Sequence, residues 1–368
     1  MIFKEFDFVV VGCGITGITI ARTLAEKNIR VLIVEERGHI GGNCYDEYDD
    51  HHLLVHKYGP HIFHTNHEEV WDFLSKFTKW NVFFLQVKAF VDGMNLPLPI
   101  NLETVSELNN IKINSGNISN FLGKQELNDY KNAKEVLVDK FGEELYRKFF
   151  EGYYLKQWGC DASELSPFVA KRIPFRKDKN PNYFNDKYQA MPKQGYTKMF
   201  EKMLNHKNIS LMLNTSWTSV EGSFSSSQKI IWTGPIDAFY KYKFGKLSYR
   251  TLDIEFEYIE KDKYQEFPVV SYPQNNRFTR ITEYKYITMQ QHKGTVISKE
   301  FSREAKEEDV KYYPIPRADS DIALGKYLEK SKSEKNVIFA GRLGTYKYMN
   351  MDQAVKDAFE VAAKLLAE

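Results

Sequence analysis

The stretch from Asp7 to Asn43, DFVVVGCGITGITIARTLAEKNIRVLIVEERGHIGGN, decides the fold. The β-branched and aromatic run Phe8–Val11 predicts a buried parallel strand, and a G-x-G-x-x-G turn follows it at once. Apolar residues then recur with helical spacing from Ile18, and a second apolar run, Val31–Val34, ends in two acidic residues. This order of strand, glycine turn, helix and strand predicts an α/β domain that binds a dinucleotide.

Each glycine of the turn has a separate expected task. Gly12 permits the tight turn, Gly14 lets a pyrophosphate approach the backbone, and Gly17 lets the helix pack closely on the strand. The free N–H groups at the start of the helix favour phosphate, and Glu35 is expected to accept hydrogen bonds from a ribose. The Gly-Gly-Asn sequence that ends at Asn43 resembles the flavoproteins with two dinucleotide domains, which favours FAD.

Composition narrows the possible functions. The 368 residues leave room for two or three domains. A formal net charge of +2 gives no reason to expect nucleic acid or a membrane surface as a partner. Three cysteines are too few for a disulfide framework, which suggests a reducing cytoplasm. No apolar run approaches the ~20 residues of a membrane span, and residues 8–21 lack the features of a signal peptide.

Six histidines lie between His51 and His67. We do not expect a metal there, because no cysteine or carboxylate stands at ligand spacing within the run. Thr65 and Glu68 predict a capping box at the start of a helix. The preceding loop, which contains His61 and His64, is therefore a suitable place for one functional histidine.

Further along the chain, Gly142 divides a charged helical region, and four prolines punctuate residues 166–192, which predicts a long irregular segment of the kind that forms lids. A period of two predicts antiparallel strands at residues 252–258, 277–284 and 295–301, whereas residues 230–232 and 337–340 predict buried strands of the first domain. We therefore expect an α/β fold with a discontinuous Rossmann-like FAD domain and two inserted domains. The expected ranges are 1–78, 192–241 and 314–368 for the FAD domain, 100–165 for a helical domain, and 79–99, 166–191 and 242–313 for an antiparallel β-sheet substrate domain with a mobile loop.

Several short motifs, in one order along almost the whole chain, resemble those of the bacterial UDP-galactopyranose mutases. They are Val10–Gly17, Gly41–Asn43, His56–Thr65, Gly152–Tyr153 with Lys156–Gly159, Lys171–Pro174, Asn182–Phe184, Thr233–Pro235, Thr279–Arg280, Tyr312–Pro314, and Gly341–Leu343 with Tyr346–Tyr348. The resemblance implies that a UDP-hexopyranose is contracted to its furanose form with no net redox change. It further implies that reduced FAD is the nucleophile, through an adduct between flavin N5 and the sugar.

The resemblance also implies roles for individual residues. Catalytic roles fall to Arg172, Arg280 and His61, with the two arginines holding the diphosphate. Substrate-binding roles fall to Tyr153, Trp158, Tyr183, Phe184, Tyr313 and Tyr348. Cofactor-binding roles fall to Gly12, Gly14, Thr16, Gly17, Glu35, Gly42, Asn43, His61, Arg342, Asn350 and Met351. The implied assembly is a cytoplasmic homodimer that binds a UDP-hexose, without nucleic acid or membrane insertion.

Three positions depart from the family pattern. Tyr154 stands where many members have Thr, and Met349-Asn350 stand where many have Tyr-Asp. These changes leave both nucleotide-clamping arginines in place but could alter the accepted sugar, for example towards one with an N-acetyl group at C2. Two other functions stay open at this point: an FAD oxidoreductase of the amine-oxidase type, and a nucleotide-sugar binding protein without catalysis.

Overall fold

A computed structural model describes residues 3–124, 129–225 and 228–367 of the chain. The strands are β1 (Phe8–Val11), β2 (Val31–Val34), β3 (Asp46–Tyr48), β4 (Leu54–His56), β5 (Phe63–Thr65), β6 (Trp80–Val82), β7 (Val87–Val91), β8 (Met94–Leu98), β9 (Tyr188–Pro192), β10 (Ile209–Met212), β11 (Lys229–Trp232), β12 (Tyr249–Ile259), β13 (Val269–Ser271), β14 (Arg280–Glu283), β15 (Thr295–Glu304), β16 (Tyr313–Pro314) and β17 (Val337–Phe339). The α-helices are α1 (Ile15–Ala25), α2 (Glu68–Ser75), α3 (Leu102–Asn109), α4 (Ala133–Phe141), α5 (Glu143–Leu145), α6 (Gly152–Trp158), α7 (Phe168–Lys171), α8 (Tyr196–Leu204), α9 (Trp217–Val220), α10 (Ile236–Phe239), α11 (Tyr284–Thr288), α12 (Ala318–Ser331), α13 (Gly341–Gly344) and α14 (Met351–Ala367).

A parallel sheet in the order β10-β2-β1-β11-β17 carries the glycine turn. Both faces of β1 and β2 are covered, which is why the sequences of these two strands are apolar throughout. Helices α1, α8 and α14 pack on the face of Val10, and a smaller aromatic cluster around Trp232 covers the other. The predicted strands near residues 230 and 337 are confirmed as members of this sheet. The edge strand β10 was not predicted, because its short and half-exposed sequence gives only a weak pattern.

The second sheet has seven strands in the order β16-β12-β15-β14-β13-β7-β8. The predicted antiparallel strands near residues 252, 277 and 295 are β12, β14 and β15. One pair, β13 with β7, is parallel, which the expectation of a purely antiparallel sheet missed. The hairpin β7–β8 comes from a distant part of the chain, so no tight turn fixes its direction relative to β13.

Two local predictions were wrong. Thr65 and Glu68 form no capping box: His67 is the N-cap of α2, and Thr65 Oγ1 accepts a hydrogen bond from the backbone N–H of His67 instead. Residues 166–192 are also not irregular throughout, because they contain α7 and β9. Strand β9 joins β5 and β6 in a small sheet of its own.

The helical part of the chain has its own core. Buried aromatic residues of α4, of the π-helical segment Tyr146–Glu151 and of α6 pack together there. Gly142, with a φ of +82°, separates α4 from α5, as predicted, and α6 ends at Gly159 in the left-handed conformation. Helix α6 therefore leaves the helical core and ends beside the seven-stranded sheet. No helix within the described ranges is long and apolar enough to cross a membrane.

Candidate active site

The glycine turn between β1 and α1 is tightly packed at two positions and open at the third. Gly12 has a φ of +105°, and a Cβ atom added there would lie 2.1 Å from Thr233 Oγ1. A Cβ atom on Gly17 would lie 2.1 Å from the carbonyl oxygen of Gly12. At Gly14 the nearest atom to an added Cβ is the Cα of Gly42, at 3.9 Å. The turn therefore leaves space for a ligand beside Gly14.

Glu35 is fixed at the end of β2, next to this turn. Its carboxylate accepts hydrogen bonds from the backbone N–H groups of Cys13 (2.7 Å) and Arg37 (2.9 Å), and only 6% of the residue is exposed. The Arg37 side chain donates to Asn43 Oδ1 (3.1 Å). Arg37 therefore links Glu35 to the second glycine motif, Gly41–Asn43. Each carboxylate oxygen has two lone pairs, so Glu35 can still accept from ribose hydroxyls.

Three arginines and two tyrosines meet near the start of β16 and the segment that follows α13. We call Arg172, Arg280, Arg342, Tyr313 and Tyr348 the cation–tyrosine cluster. The guanidinium carbon of Arg172 lies 3.7 Å from the ring centroid of Tyr348, and that of Arg342 lies 5.3 Å from the same centroid. The rings of Tyr313 and Tyr348 are nearly parallel, with centroids 5.8 Å apart. Burial alone would raise the pKa of Tyr348, but the arginines outweigh burial and lower it.

Arg280 forms an ion pair with a buried carboxylate, that of Glu300. Its Nε lies 2.7 Å from Glu300 Oε1, and Glu300 is 1% exposed. The two residues are register partners on β14 and β15. Burial disfavours the charged form of Arg280, but Glu300, with Tyr313 and Tyr153, raises its pKa above the usual value. Arg280 therefore stays charged, and Glu300 neutralises one of the three cations of the cluster.

A cavity of about 320 Å³ adjoins the cluster. Its lining consists of Trp158, Ser166, Phe168, Val169, Arg172, Pro314, Pro316, Asp321, Leu324, Tyr346, Lys347 and Tyr348. Trp158 is buried at the end of α6 and contacts Tyr313 edge to face, with centroids 6.4 Å apart. Tyr153, on the same helix, lies near Arg280, Tyr183 and Tyr313, so both aromatic residues of α6 border Tyr313.

Tyr183 and Phe184 lie side by side near the end of the proline-rich segment. The Tyr183 N–H donates to the carbonyl of Leu85 (2.7 Å). Burial raises the pKa of Tyr183, and Arg172 and Arg280 oppose this rise. Phe184 stacks on His64 with centroids 3.6 Å apart, and His64 Nδ1 lies 3.0 Å from Asp186 Oδ2. Phe184 thus packs on β5, and Tyr183 lies beside the cluster.

His61 is partly buried and takes part in a hydrogen-bond network in the loop before β5. Its Nδ1 is 2.8 Å from the carbonyl oxygen of Gly59, and its backbone N–H donates to His56 Nδ1 (3.0 Å). Burial, together with the repulsion of His56, lowers the pKa of His61 to about 3. The imidazole is therefore neutral at pH 7. Because a carbonyl can only accept, Nδ1 carries the proton and Nε2 is left as an acceptor.

The remaining expected cofactor residues lie where α13 and α14 begin. A Cβ atom on Gly341 would lie 2.8 Å from Thr16 Oγ1, so α13 starts directly against α1. Arg342 donates to the carbonyl oxygens of Tyr312 and Met349. Asn350 immediately precedes α14, its carbonyl accepts from Ala354, and Met351 is the first residue of that helix. These contacts bring the C-terminal segments to the glycine turn and to the cluster.

Three residues with a part in this geometry were missed from the sequence: Glu300, Arg37 and Lys156. Glu300 stands at an inward position of a strand with a period of two, which is a weak signal, and its partner Arg280 becomes visible only once the strand register is known. Arg37 acts through Asn43, which lies in the neighbouring glycine motif, whereas Lys156 acts through a segment far along the chain. Within residues 3–124, 129–225 and 228–367, no group of three His, Cys, Asp or Glu side chains could hold a metal ion.

Comparisons with known proteins agree with this geometry. A model of the UDP-galactopyranose mutase family matches residues 148–348, and one of the NAD(P)-binding Rossmann-like domain matches residues 10–77. A dTDP-fucopyranose mutase from Escherichia coli is 42% identical over 363 residues, which is 96% of this chain and 96% of the relative. The chain belongs to the UDP-galactopyranose mutase family. A probable UDP-galactopyranose mutase from Klebsiella pneumoniae is 40% identical over 98% of this chain and 95% of the relative.

A structural match supports the fold of this family. A crystal structure of reduced UDP-galactopyranose mutase superposes with a TM-score of 0.77 and 16% identity, covering 98% of this chain and 94% of the other. By contrast, bovine flavin-containing amine oxidase A is 37% identical over 59 residues, which is 16% of this chain. Membership makes the protein an isomerase with FAD as its cofactor.

The residues present fit FAD. Gly14 leaves room for a pyrophosphate at the start of α1, a helix whose N-terminus has no side-chain cap. The Gly42 backbone lies against Gly14, since an added Cβ would be 2.9 Å from the Gly14 Cα. Glu35 keeps free lone pairs for a ribose. The turn, the acid and the second glycine motif together form a cradle that larger side chains would fill.

Proposed function

We propose that the protein interconverts UDP-galactopyranose and UDP-galactofuranose on reduced FAD, with no net redox change. The observation that carries the proposal is the convergence of Arg172, Arg280 and Arg342 on the stacked rings of Tyr313 and Tyr348. Three cations against one buried carboxylate leave an excess positive charge that matches a diphosphate. Hydroxyl groups of the two tyrosines can donate to its oxygens.

The chain's own residues have two tasks in this proposal. The arginines hold the diphosphate while it is detached from the sugar and while it returns, and they stabilise the charge that develops on it. Trp158 and the apolar residues that line the adjoining cavity exclude water from the sugar. Water in the site would otherwise hydrolyse the reacting sugar. Arg172 belongs to the proline-rich segment and is exposed, so we propose that this segment is a mobile lid that brings Arg172 to the substrate.

FAD would be held by the glycine turn, Glu35, Asn43, His61, Arg342 and the start of α14. When bound and reduced, it supplies the nucleophile, flavin N5, that the adduct route requires. His61 is neutral and keeps Nε2 as an acceptor, so it can take a hydrogen bond from a reduced, protonated ring without adding charge. This gives His61 a role in binding the reduced cofactor.

A second substrate, dTDP-fucopyranose, is favoured by one observation: the relative of that name is 42% identical to this chain, against 40% for the Klebsiella pneumoniae relative. The two substrates share the diphosphate and the ring contraction, and they differ in the base, the 2′-hydroxyl and the sugar C6. Tyr154, one of the departures from the family pattern, is 3% exposed and packs in the helical core beside Tyr153. We propose that it shapes the nucleotide side of the site through Tyr153.

Product analysis tests the choice of substrate. UDP-galactopyranose, UDP-N-acetylgalactopyranose and dTDP-fucopyranose would each be incubated anaerobically with dithionite-reduced enzyme, and kcat/KM for furanose formation compared. The proposal expects the highest value for UDP-galactopyranose. A higher value for dTDP-fucopyranose would move the assignment to the second candidate, and a higher value for the N-acetyl sugar would identify a C2-substituted substrate.

We further propose a cytoplasmic homodimer. The three cysteines are buried and free, which suits a reducing compartment, and two-fold dimers are the commonest assembly of soluble enzymes. Light scattering during size-exclusion chromatography would give twice the chain mass of 43.1 kDa for a dimer.

A further inference from the structure

Lys156 does not belong to the cation–tyrosine cluster, yet its half-buried side chain enters the loop that leads to Arg280. This loop, residues 272–279, connects β13 to β14. The Lys156 Nζ group donates to four of its carbonyl oxygens, those of Tyr272, Gln274 (2.9 Å), Asn276 (3.0 Å) and Phe278 (3.3 Å). An ammonium group has three N–H donors, so these four acceptors share them.

The ends of the loop are fixed to the sheet. The Tyr272 N–H donates to the carbonyl of Thr279 (2.8 Å), and the Thr279 N–H donates to the carbonyl of Glu300 (2.8 Å). Thr279 is fully buried. The next residue is Arg280, which opens β14 and pairs with the Glu300 side chain. The conformation of the loop therefore sets the point from which the Arg280 side chain leaves the backbone.

Helix α6 contacts the loop along one face. A Cβ atom on Gly152 would lie 2.3 Å from the carbonyl oxygen of Pro273, so the helix backbone touches the loop there. Tyr153 and Lys156 are three residues apart and share a helical face. Tyr153 lies near Arg280, and Lys156 holds the loop that leads to Arg280. The same helix therefore controls both the surroundings and the backbone of this arginine.

Carbonyl dipoles that point at one place repel one another unless a cation lies between them. Without the ammonium group the loop would open so that its carbonyls reach other donors, and Arg280 would shift with it. We propose that Lys156 is a positioning residue that fixes Arg280 in its diphosphate-binding place. The inference rests on the proposed function, because it takes Arg280 to hold the diphosphate.

The chain offers a matched control. Lys285, on α11, also donates to backbone carbonyls, those of Asp262 (2.9 Å), His292 and Gly294 (3.4 Å). Its contacts include no residue of the cation–tyrosine cluster. Lys285→Met thus removes a comparable carbonyl-bound ammonium group without disturbing the loop before Arg280.

The test is a double-mutant cycle on the FAD-loaded enzyme, with the Kd of UDP, and separately of dTDP, measured by calorimetry. We expect Arg280→Lys to weaken binding about tenfold, because a point charge replaces the fork while the ion pair to Glu300 is kept. We expect Lys156→Met to weaken binding about tenfold and the control, Lys285→Met, to leave the Kd within twofold of the parent. In the Arg280→Lys background, Lys156→Met should weaken binding less than twofold further. A merely structural role would not produce this coupling.

The cycle distinguishes a failure of the diphosphate-binding role of Arg280 from a failure of the positioning role of Lys156. If Arg280→Lys binds both nucleotides as the parent does, the diphosphate clamp fails, and this inference fails with it. If Arg280→Lys binds weakly but Lys156→Met binds like Lys285→Met, or adds its full effect to Arg280→Lys, only the positioning role is wrong. Should Lys156→Met not fold, Lys156→Gln, which keeps two N–H donors, replaces it in the same cycle, with the same coupling expected.

Discussion

Arg172 lies face-on over Tyr348, with its guanidinium carbon 3.7 Å from the ring centroid. The contact joins the proline-rich segment to the segment after α13, and it closes the cation–tyrosine cluster on one side. The stacking partner of Tyr348 is Tyr313, so one arginine from a distant segment completes a site built mainly from the C-terminal part of the chain.

Replacing Arg172 tests whether this contact serves substrate binding. Arg172→Ala should lower kcat/KM roughly 10- to 150-fold, because a hydrogen bond to a charged group contributes about 1.5–3 kcal/mol. FAD content, read from the visible absorbance, should not change. Arg147→Ala is a suitable control, since Arg147 is an exposed arginine paired with Glu143 on the helix surface. Equal activity of both variants would remove Arg172 from the site.

The two glycines Gly14 and Gly17 should respond differently to alanine. Gly14→Ala places its Cβ in the space left for a pyrophosphate, so the protein should fold with near-parental stability and bind FAD at least tenfold more weakly. Gly17→Ala forces a Cβ to 2.1 Å from the carbonyl oxygen of Gly12 and should lower the free energy of unfolding by about 1–3 kcal/mol. Urea unfolding and FAD titration measure both effects. Undiminished FAD affinity in Gly14→Ala would contradict the proposal that the FAD pyrophosphate lies beside Gly14.

Tyr348 should make nucleotide binding sensitive to alkaline pH. The arginines lower its pKa below 10 although burial opposes them, so in the free protein it ionises earlier than an ordinary tyrosine as the pH rises. The ionised form repels a diphosphate, so the Kd of UDP should increase towards pH 10, and less so in Tyr348→Phe. Calorimetry between pH 7 and 10 measures this difference. The same pH dependence in both proteins would be evidence against the assigned contact.

His56 and His61 should make the fold sensitive to acid. Burial lowers the pKa of both to about 3, from about 6.5 when unfolded. The unfolded chain therefore binds more protons between these values, so the contribution to stability is complete above pH 6.5 and is lost as the pH falls towards 3. Urea unfolding at pH 7 and pH 4.5 should show a smaller loss for His56→Asn than for the parent.

His52→Asn is the control for this comparison, because His52 is exposed and has a φ of +61°, which asparagine adopts readily. It should lose as much stability on acidification as the parent. An equal loss in all three proteins would show that the buried histidines do not govern acid sensitivity.

The parts of the fold that could be predicted are those whose signal lies within one short stretch. The glycine turn, its flanking strands and Glu35 all fall within 37 residues, and their pattern leaves few alternatives. Strand β12 could be predicted equally well, because apolar and acidic residues alternate in the sequence over residues 252–258. The edge strand β10 and the parallel pair β7–β13 could not be predicted, since their pairing depends on segments far apart in the chain.

In the site, too, single residues could be predicted from short motifs, whereas contacts between distant segments could not. Arg172, Arg280 and Tyr348 could be named from short motifs, but their convergence depends on how α7, the seven-stranded sheet and the segment after α13 are arranged. The ion pair from Arg280 to Glu300 requires the register of β14 on β15. The proximity of Trp158 and Tyr153 to Tyr313 also needed the structure, because Tyr313 lies far along the chain from α6.

Furanose formation by oxidised and by reduced enzyme tests the central claim most directly. The purified FAD-loaded protein would be incubated anaerobically with UDP-galactopyranose, with and without dithionite, and the products separated by ion-exchange chromatography. The account predicts UDP-galactofuranose only after reduction, with no net change in the flavin spectrum during turnover. Absence of any furanose from the reduced enzyme, or net reduction of oxidised flavin by the nucleotide sugar, would contradict it.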